Sequence, residues 1–139
     1  MGLPGSGKST YLERLGVNAI SSDEIRRLLT DDPADQTTHA RVFATIRYLV
    51  RQRLALGRPV TYVDATHLMR WERRPYFRLA RRYDARVHAL YFDVPFEICI
   101  ERNQKRDRVV PPAVIEEMAR RLEPPTREEG FSRIIQIRA

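Results

Sequence analysis

A short glycine-rich motif at the start of the sequence constrains the fold more than any other stretch. Residues 2–10 read GLPGSGKST, which fits the pattern G-x-x-x-x-G-K-[ST]. Glycines leave room for backbone N–H groups to turn inward and form an anion-binding nest. Lys8 then places a positive charge near bound phosphates, and the Ser9 hydroxyl can join a magnesium shell. The pattern predicts a phosphate-binding loop followed by a helix; the alternative is a flexible Gly/Ser tail.

A loop of this kind normally connects a buried strand to a helix, but only Met1 precedes it in this sequence. In a doubly wound sheet the missing strand would be the central one. Two expectations follow. Either the sequence starts inside the domain, which we favour, or the fold manages without its middle strand.

Signals for strands and helices alternate along the rest of the 139 residues. The predicted helices cover residues 8–15, 23–29, 37–56, 71–83, 96–106 and 113–122, and the predicted strands cover 17–20, 59–64, 86–93 and 131–137. Such alternation predicts an α/β protein with a parallel sheet and helices on both faces. We expect one domain over residues 1–139 with a small helical lid at about residues 102–122.

The composition excludes several classes of protein. The single cysteine, Cys99, and three scattered histidines allow neither a disulfide framework nor a histidine metal motif. No apolar run approaches the length of a membrane span and no signal peptide opens the chain, so we expect a cytoplasmic protein. The formal net charge is +7 and nearly all cations are arginine, which suits a polyanionic partner but also an arginine-rich genome.

A second candidate site follows the first predicted strand, in the segment SSDEIR. Asp23 stands where ligands bind in open α/β sheets, and a carboxylate there can take a proton from an acceptor hydroxyl. Arg26 lies three residues further, on the same helical face, and could hold an acceptor phosphate. The alternative is an N-cap aspartate beside a surface arginine.

A third candidate site ends the apolar strand that leads into VDATH. Asp64 has the position of a carboxylate that orients Mg²⁺ or its waters, and the alternative is helix capping or a structural hydrogen bond. We expect Thr66 and His67 to face the same crevice. A lone histidine beside a loop is more often structural than catalytic.

A fourth candidate site is the basic segment ERNQKRDR at residues 101–108. Arg102 and Arg106 are four apart and are expected on one helical face, from which two guanidinium groups could close over a nucleotide. The alternative is a solvated basic face.

Four stretches of the sequence carry a resemblance to a known family: GLPGSGKST, SSDEIR with the following DDPADQT, VDAT and ERNQKR. Together they resemble the kinase module of the bacterial and phage 5′-polynucleotide kinases, which are AAA-type P-loop kinases. The resemblance covers nearly the whole chain. It implies a P-loop kinase fold that uses ATP and Mg²⁺, with the 5′-hydroxyl end of RNA or DNA as acceptor. No membrane partner is expected.

The resemblance implies a role for each matching position. Asp23 would be the general base, Arg26 would contact the acceptor phosphate, and Asp64 and Thr66 would line the site floor. ATP and Mg²⁺ would be bound by the loop and the lid, namely by Gly5, Ser6, Gly7, Lys8, Ser9, Thr10, Arg102 and Arg106, with Ser9 and Asp64 on the metal side. Catalysis would rest on Lys8, Asp23 and Arg106.

The sequence departs from this family in the absent first strand, in His67 where asparagine is expected, and in the lack of a phosphatase or ligase module. Two other functions stay open. One is a small-molecule kinase acting on a sugar or antibiotic hydroxyl, and the other is a nucleotide-binding module without catalysis.

Overall fold

The structure, a computed structural model, describes residues 1–138. Within this range helices and strands alternate as the sequence predicts. The helices are α1 (Lys8–Leu15), α2 (Ser22–Thr30), α3 (His39–Ala55), α4 (Arg70–Arg82), α5 (Phe96–Gln104) and α6 (Pro112–Arg121). The strands are β1 (Ala19–Ser21), β2 (Tyr62–Asp64), β3 (His88–Phe92) and β4 (Arg133–Ile137), and a 3₁₀ turn covers Arg127–Glu129.

The predicted elements are confirmed in type and order, and their ends differ by a few residues. The first helix ends at Gly16 as predicted, because this glycine adopts φ 68° in the left-handed region. β1 begins two residues later than predicted, and β2 is only three residues long. Within residues 1–138 these two strands form a ladder only with each other, over three residues each.

The four strands form two parallel pairs. β1 pairs with β2, from Ala19 opposite Tyr62 to Ser21 opposite Asp64. β3 pairs with β4 over five residues, from His88 opposite Arg133 onward. Among residues 1–138 no hydrogen-bonded ladder joins one pair to the other.

Met1 and Gly2 lie in the gap between the two pairs. The amino group of Met1 donates to the carbonyl of Leu90 at 2.7 Å, and Phe92 N–H donates to the carbonyl of Met1 at 3.0 Å. On the other side Gly2 N–H donates to the carbonyl of Thr66 at 3.1 Å. These two residues therefore occupy the end of a central strand position.

The remainder of this position is a cavity of about 840 Å³ that we call the central slot. Its walls include Val63 of β2 and Ala89 and Leu90 of β3. The expectation that the first strand is missing is confirmed for the described residues, since the slot contains none of the strands found in residues 1–138.

Helices cover the strand pairs and build two main apolar cores. One core packs α2 and α3 onto β1 and β2 around Val42 and Ile46, both fully buried. The other packs α5 and α6 onto β3 around Cys99 and Ile115, also fully buried. Burial of such side chains stabilises the fold by about 1.5–3 kcal/mol each. No helix within residues 1–138 combines the length and apolar character needed to cross a bilayer.

Candidate functional site

The glycine-rich loop has the conformation that the motif predicts. Gly5 and Gly7 adopt φ 80° and 95°, which side chains with a Cβ rarely tolerate, and Gly7 is the N-cap of α1. The loop lies on α5, so closely that a Cβ on Gly5 would overlap the carbonyl oxygen of Cys99. The first N–H groups of α1 have no partner within the helix and form the positive end of its dipole.

The Lys8 ammonium folds back over this loop. Nζ donates to the carbonyls of Gly2 and Leu3 at 2.9 Å each, and to Ser6 Oγ at 3.5 Å. Burial, together with the nearby Arg106 cation, lowers the pKa of Lys8 from 10.5 to about 8. A half-buried ammonium whose hydrogen-bond partners are neutral oxygens suits an incoming anion, because a phosphate would supply a hydrogen-bonded negative charge.

Ser9 connects the loop to the end of β2. Its hydroxyl donates to Asp64 Oδ2 at 2.6 Å. A hydroxyl and a carboxylate oxygen at this separation are hard oxygen donors of the type that Mg²⁺ prefers. Among residues 1–138 no cluster of three or more His, Cys, Asp or Glu forms a metal cage. A magnesium ion usually keeps several waters and takes phosphate oxygens in addition to one or two protein ligands, so this two-residue pair fits it.

Asp23 and Arg26 form the opposite wall. Ser21 is the N-cap of α2 and accepts from Glu24 N–H at 3.3 Å, so Asp23 is not the capping residue. Arg26 is buried, with 4% of its surface exposed, and its Nη1 donates to Asp23 Oδ1 at 3.1 Å. The pairing confirms the predicted shared face of Asp23 and Arg26, and the alternative of a surface arginine is wrong.

Arg102 and Arg106 approach the loop from the other side. Arg102 Nη1 lies 3.7 Å from the position that a Cβ on Gly7 would take. The expectation that both arginines share one helical face is wrong, because α5 ends at Gln104 and Arg106 N–H donates to the carbonyl of Asn103 in a turn. Both side chains nevertheless reach the same cleft.

This cleft, about 710 Å³ in volume, brings together side chains from distant parts of the sequence. It is lined by most of the predicted site residues, namely Gly5, Gly7, Lys8, Ser9, Thr10, Asp23, Arg26, Asp64, Thr66, Arg102 and Arg106. Ser6 is the one residue predicted to bind ATP that does not line the cleft, since its side chain is buried within the loop and only 3% of the residue is exposed. The arrangement can hold a polyphosphate against Lys8 with a carboxylate, Asp23, on the facing wall.

His67 does not face this cleft, contrary to the expectation from the sequence. It is 6% exposed, has φ 46°, and borders the central slot instead. Its Nε2 lies 2.9 Å from the hydroxyl of Tyr76. Burial, with the cations of the Met1 amino terminus, Arg73 and Lys8, lowers the pKa of His67 to about 3. The residue is therefore a neutral, buried structural histidine, as expected for a lone histidine beside a loop.

Two residues of the site have roles that the sequence did not predict. Arg108 Nη1 lies 3.0 Å from Asp23 Oδ1, so this carboxylate oxygen contacts two arginines. Asn103, fully buried, fastens the loop that carries Arg108: its Nδ2 donates to the carbonyl of Val110 at 2.6 Å and its Oδ1 accepts from Val110 N–H at 3.0 Å. In the sequence, Asn103 is one of two adjacent amide residues, with Gln104, inside a charged segment, and this pattern predicts only solvent exposure.

The chain is similar to known proteins in both sequence and fold. The family described as "AAA domain" matches residues 1–125 of the chain. The chain is also similar to a solved gluconokinase from Sinorhizobium meliloti 1021, with a TM-score of 0.61 and 21% identity over 99% of this chain and 79% of that chain. At this identity the similarity shows the fold alone, which is the α/β fold of the P-loop kinases.

Two curated proteins share sequence with part of the chain. The L-seryl-tRNA(Sec) kinase of Homo sapiens is 35% identical over 77 residues, which is 55% of this chain and 22% of that protein. The protein of the same name from Mus musculus is 33% identical over 77 residues, or 55% and 21% of the two chains. The match spans about a fifth of the length of these relatives.

Proposed function

From the premise that this chain belongs to the AAA domain family and has the fold of a P-loop kinase, we propose that it is an ATP- and Mg²⁺-dependent phosphotransferase acting on the 5′-hydroxyl of a polynucleotide. The observation that carries this proposal is the position of Asp23, which lines the same cleft as the phosphate-binding loop and contacts two arginines. A carboxylate beside excess positive charge suits a hydroxyl acceptor that carries its own phosphate.

In this proposal the donor nucleotide lies along the loop. Lys8 and the N–H groups at the start of α1 bind the phosphates, Arg106 stabilises charge on the transferring group, and Arg102 lies over the loop beside Gly7. Ser9 and Asp64 would hold Mg²⁺, which supplies charge neutralisation on the phosphates when bound.

The transfer itself needs little covalent chemistry from the protein. Asp23 takes the proton of the acceptor hydroxyl, the resulting oxygen forms a bond to the γ-phosphorus, and the bond from that phosphorus to the bridging oxygen of ADP breaks. Arg26 holds the acceptor by its phosphate, and Thr66 lines the floor of the cleft beside Asp64. Positioning and charge stabilisation account for the catalysis that these residues provide.

A second candidate acceptor is a smaller hydroxyl, and a specific observation favours it. The two curated relatives are both named "L-seryl-tRNA(Sec) kinase", and a seryl group offers a side-chain hydroxyl instead of a ribose 5′-hydroxyl. A nucleotide-binding module without catalysis is the third possibility. Each of these alternatives predicts a different pattern of label in one assay.

The assay offers γ-labelled ATP, Mg²⁺ and a 5′-hydroxyl oligonucleotide. We expect label on the oligonucleotide, and we expect Asp23→Asn and Lys8→Met each to reduce the rate by about 10²- to 10⁴-fold. Asp31→Asn is the matched control, because it makes the same change at an exposed residue at the end of α2 and should leave the rate unchanged.

The acceptor is identified by comparison with seryl-tRNA and small hydroxyl compounds as alternative substrates. Label on one of these and none on the oligonucleotide would overturn the polynucleotide assignment. ATP binding without transfer to any acceptor would favour the non-catalytic module. For a polynucleotide acceptor we also expect affinity to fall steeply with salt, because phosphate contacts release counterions.

A further inference from the structure

Arg108 makes the least expected contact of the cleft. It lies on the loop between α5 and α6, and its Nη1 is 3.0 Å from Asp23 Oδ1. Arg26 Nη1 is 3.1 Å from the same oxygen atom. With both arginines in place, Asp23 Oδ1 accepts a hydrogen bond from Arg26 and also lies at ion-pair distance from Arg108. An acceptor hydroxyl that approaches this oxygen must therefore displace at least one of the two guanidinium groups.

The charges in the cleft divide unevenly between its two ends. Next to the loop, the cations Lys8, Arg102 and Arg106 match what the phosphates of a bound nucleotide require. At the Asp23 end, the ion pairs within residues 1–138 hold two cations, Arg26 and Arg108, against the one carboxylate of Asp23, and Asp35 adds only a longer-range interaction with Arg26. An uncompensated cation in a partly buried site favours an anionic ligand.

Unpartnered polar atoms occur at the same end. Among residues 1–138, the buried side-chain atoms without a hydrogen-bond partner are Arg26 Nε and Thr38 Oγ1. Arg26 lines the cleft, and Thr38 directly precedes His39, which also lines it. A buried guanidinium N–H without a partner costs free energy that a ligand oxygen can recover.

We propose that Arg26 and Arg108 together form the subsite for a phosphate group carried by the acceptor, and that Arg108 exchanges partners when the acceptor binds. While the acceptor is absent, Arg108 holds Asp23. When the acceptor hydroxyl takes its place at Asp23, the Arg108 guanidinium moves to the acceptor phosphate. This inference rests on the proposed function, in which Arg26 already holds the acceptor phosphate, and adds Arg108 as a second residue that contacts this phosphate.

The loop that carries Arg108 has an anchored base and exposed residues, which allow the Arg108 side chain to change partners. Its base is fastened by the two hydrogen bonds between Asn103 and Val110. Lys105, Arg106 and Asp107, between these anchors, are exposed. A loop that is fixed at both ends and solvated between them can reorient a side chain without unfolding.

The test compares two acceptors that differ only in the phosphate: a nucleoside 3′-monophosphate with a free 5′-hydroxyl, and the same nucleoside without phosphate. Both KM, in the transfer assay, and Kd, by calorimetry with a non-hydrolysable ATP analogue present, are measured. The variants are Arg108→Ala and Arg108→Lys, with Arg81→Ala as control because it removes an equal charge from an exposed site on α4 outside the cleft.

We expect Arg108→Ala to raise KM and Kd for the phosphate-bearing nucleoside by about 10- to 100-fold, the effect of one charge-assisted hydrogen bond. For the plain nucleoside the same variant should leave Kd unchanged or lower it, because Asp23 is freed from a competitor. The KM for ATP should change less than about twofold, and Arg108→Lys should recover part of the loss.

Other results overturn the inference. An equal loss for both acceptors would make Arg108 only a support for Asp23, and a loss for ATP would assign Arg108 to the donor. If the wild type transfers phosphate to neither compound, the proposed function fails, and calorimetry still decides the role of Arg108. A wild type that binds both nucleosides equally has no phosphate subsite.

Discussion

At the scale of single residues, Gly5 is the position where the phosphate-binding loop tolerates no side chain. Its φ of 80° is unfavourable for residues with a Cβ, and the added atom would meet the backbone of Cys99 in the buried core of α5. A backbone carbonyl in a helix cannot move aside as a flexible side chain can. Both the shape of the loop and its contact with α5 therefore depend on one glycine.

We predict that Gly5→Ala lowers the free energy of unfolding by at least about 3 kcal/mol and removes nucleotide binding, because backbone strain and overpacking add. Gly57→Ala is the matched control: Gly57 has φ 73° but nothing within 4 Å of an added Cβ, so only strain of about 1 kcal/mol applies. Urea denaturation and titration with an ATP analogue measure the two effects. Equal losses in the two variants would contradict the steric argument.

His67 contributes a pH dependence of stability. Its pKa is about 3 in the folded protein against 6.5 for an unperturbed histidine, so the unfolded chain binds a proton more readily. The stability that neutral His67 provides is thus complete above pH 6.5 and is lost progressively as the pH falls towards 3.

The variant His67→Asn should accordingly lose less stability on acidification than the wild type, by up to about 1.4 kcal/mol per pH unit between pH 6 and 4. Asparagine tolerates the left-handed backbone of this position better than most residues. Denaturant unfolding at several pH values gives both curves. Parallel curves would mean that His67 binds a proton as readily in the folded protein as in the unfolded chain.

At the scale of secondary structure elements, a buried ion pair ties α4 to the C-terminal part of the chain. Arg73 and Glu129 are 2% and 6% exposed, with Nε–Oε1 at 2.8 Å and Nη2–Oε2 at 3.2 Å. Arg73 Nη1 also donates to the carbonyls of His67 and Glu123 at 3.3 and 2.8 Å. One guanidinium therefore joins the segment after β2 to the 3₁₀ turn before β4.

Replacing Arg73 by methionine should cost about 3–5 kcal/mol of stability, because Glu129 is left as an unpaired buried charge. The double variant Arg73→Met/Glu129→Met should cost clearly less than the single variant, since no buried charge remains. Thermal unfolding of the wild type, both single variants and the double variant completes the cycle. A double variant less stable than Arg73→Met alone would show that Glu129 stabilises the turn mainly through Thr126 N–H, which donates to Glu129 Oε2 at 2.8 Å, and not through Arg73.

Element types were predictable because apolar periodicity and capping residues act locally. The pattern of Val42, Ile46 and Val50 predicts α3 from its period alone, and all three prove buried. The end of α5 was not predictable from such local signals. It depends on Asn103, whose amide turns from the helix to the backbone of Val110 seven residues away.

At the scale of the whole molecule, the central slot separates the two strand pairs. Its walls are partly apolar, and the backbone pairing of Met1 with Leu90 and Phe92 already follows a parallel ladder. The Met1 amino group is buried there, which lowers its pKa from 8.0 to about 5. An amino group that is buried at the end of an apolar slot is in an unfavourable environment, since burial disfavours its charged form.

Fusing five apolar β-branched residues before Met1 should therefore raise the melting temperature by about 5–10 °C. The extension would fill the slot, pair with β2 and β3, and convert the buried amino group to an amide. A fusion of equal length in which prolines replace alternate residues is the control, because proline cannot donate to a central ladder. Equal melting temperatures for the two fusions would show that the slot does not accept a strand.

The sequence by itself determined the phosphate-binding loop, the α/β class and the pairing of Asp23 with Arg26. These rest on local backbone conformation and short spacings, which a few neighbouring residues decide. Only the tertiary structure decided that Ser9 meets Asp64, that Arg108 reaches Asp23, and that His67 turns into the interior. Such contacts join residues far apart in the chain, and they form only where packing of the strand pairs and helices brings those residues together.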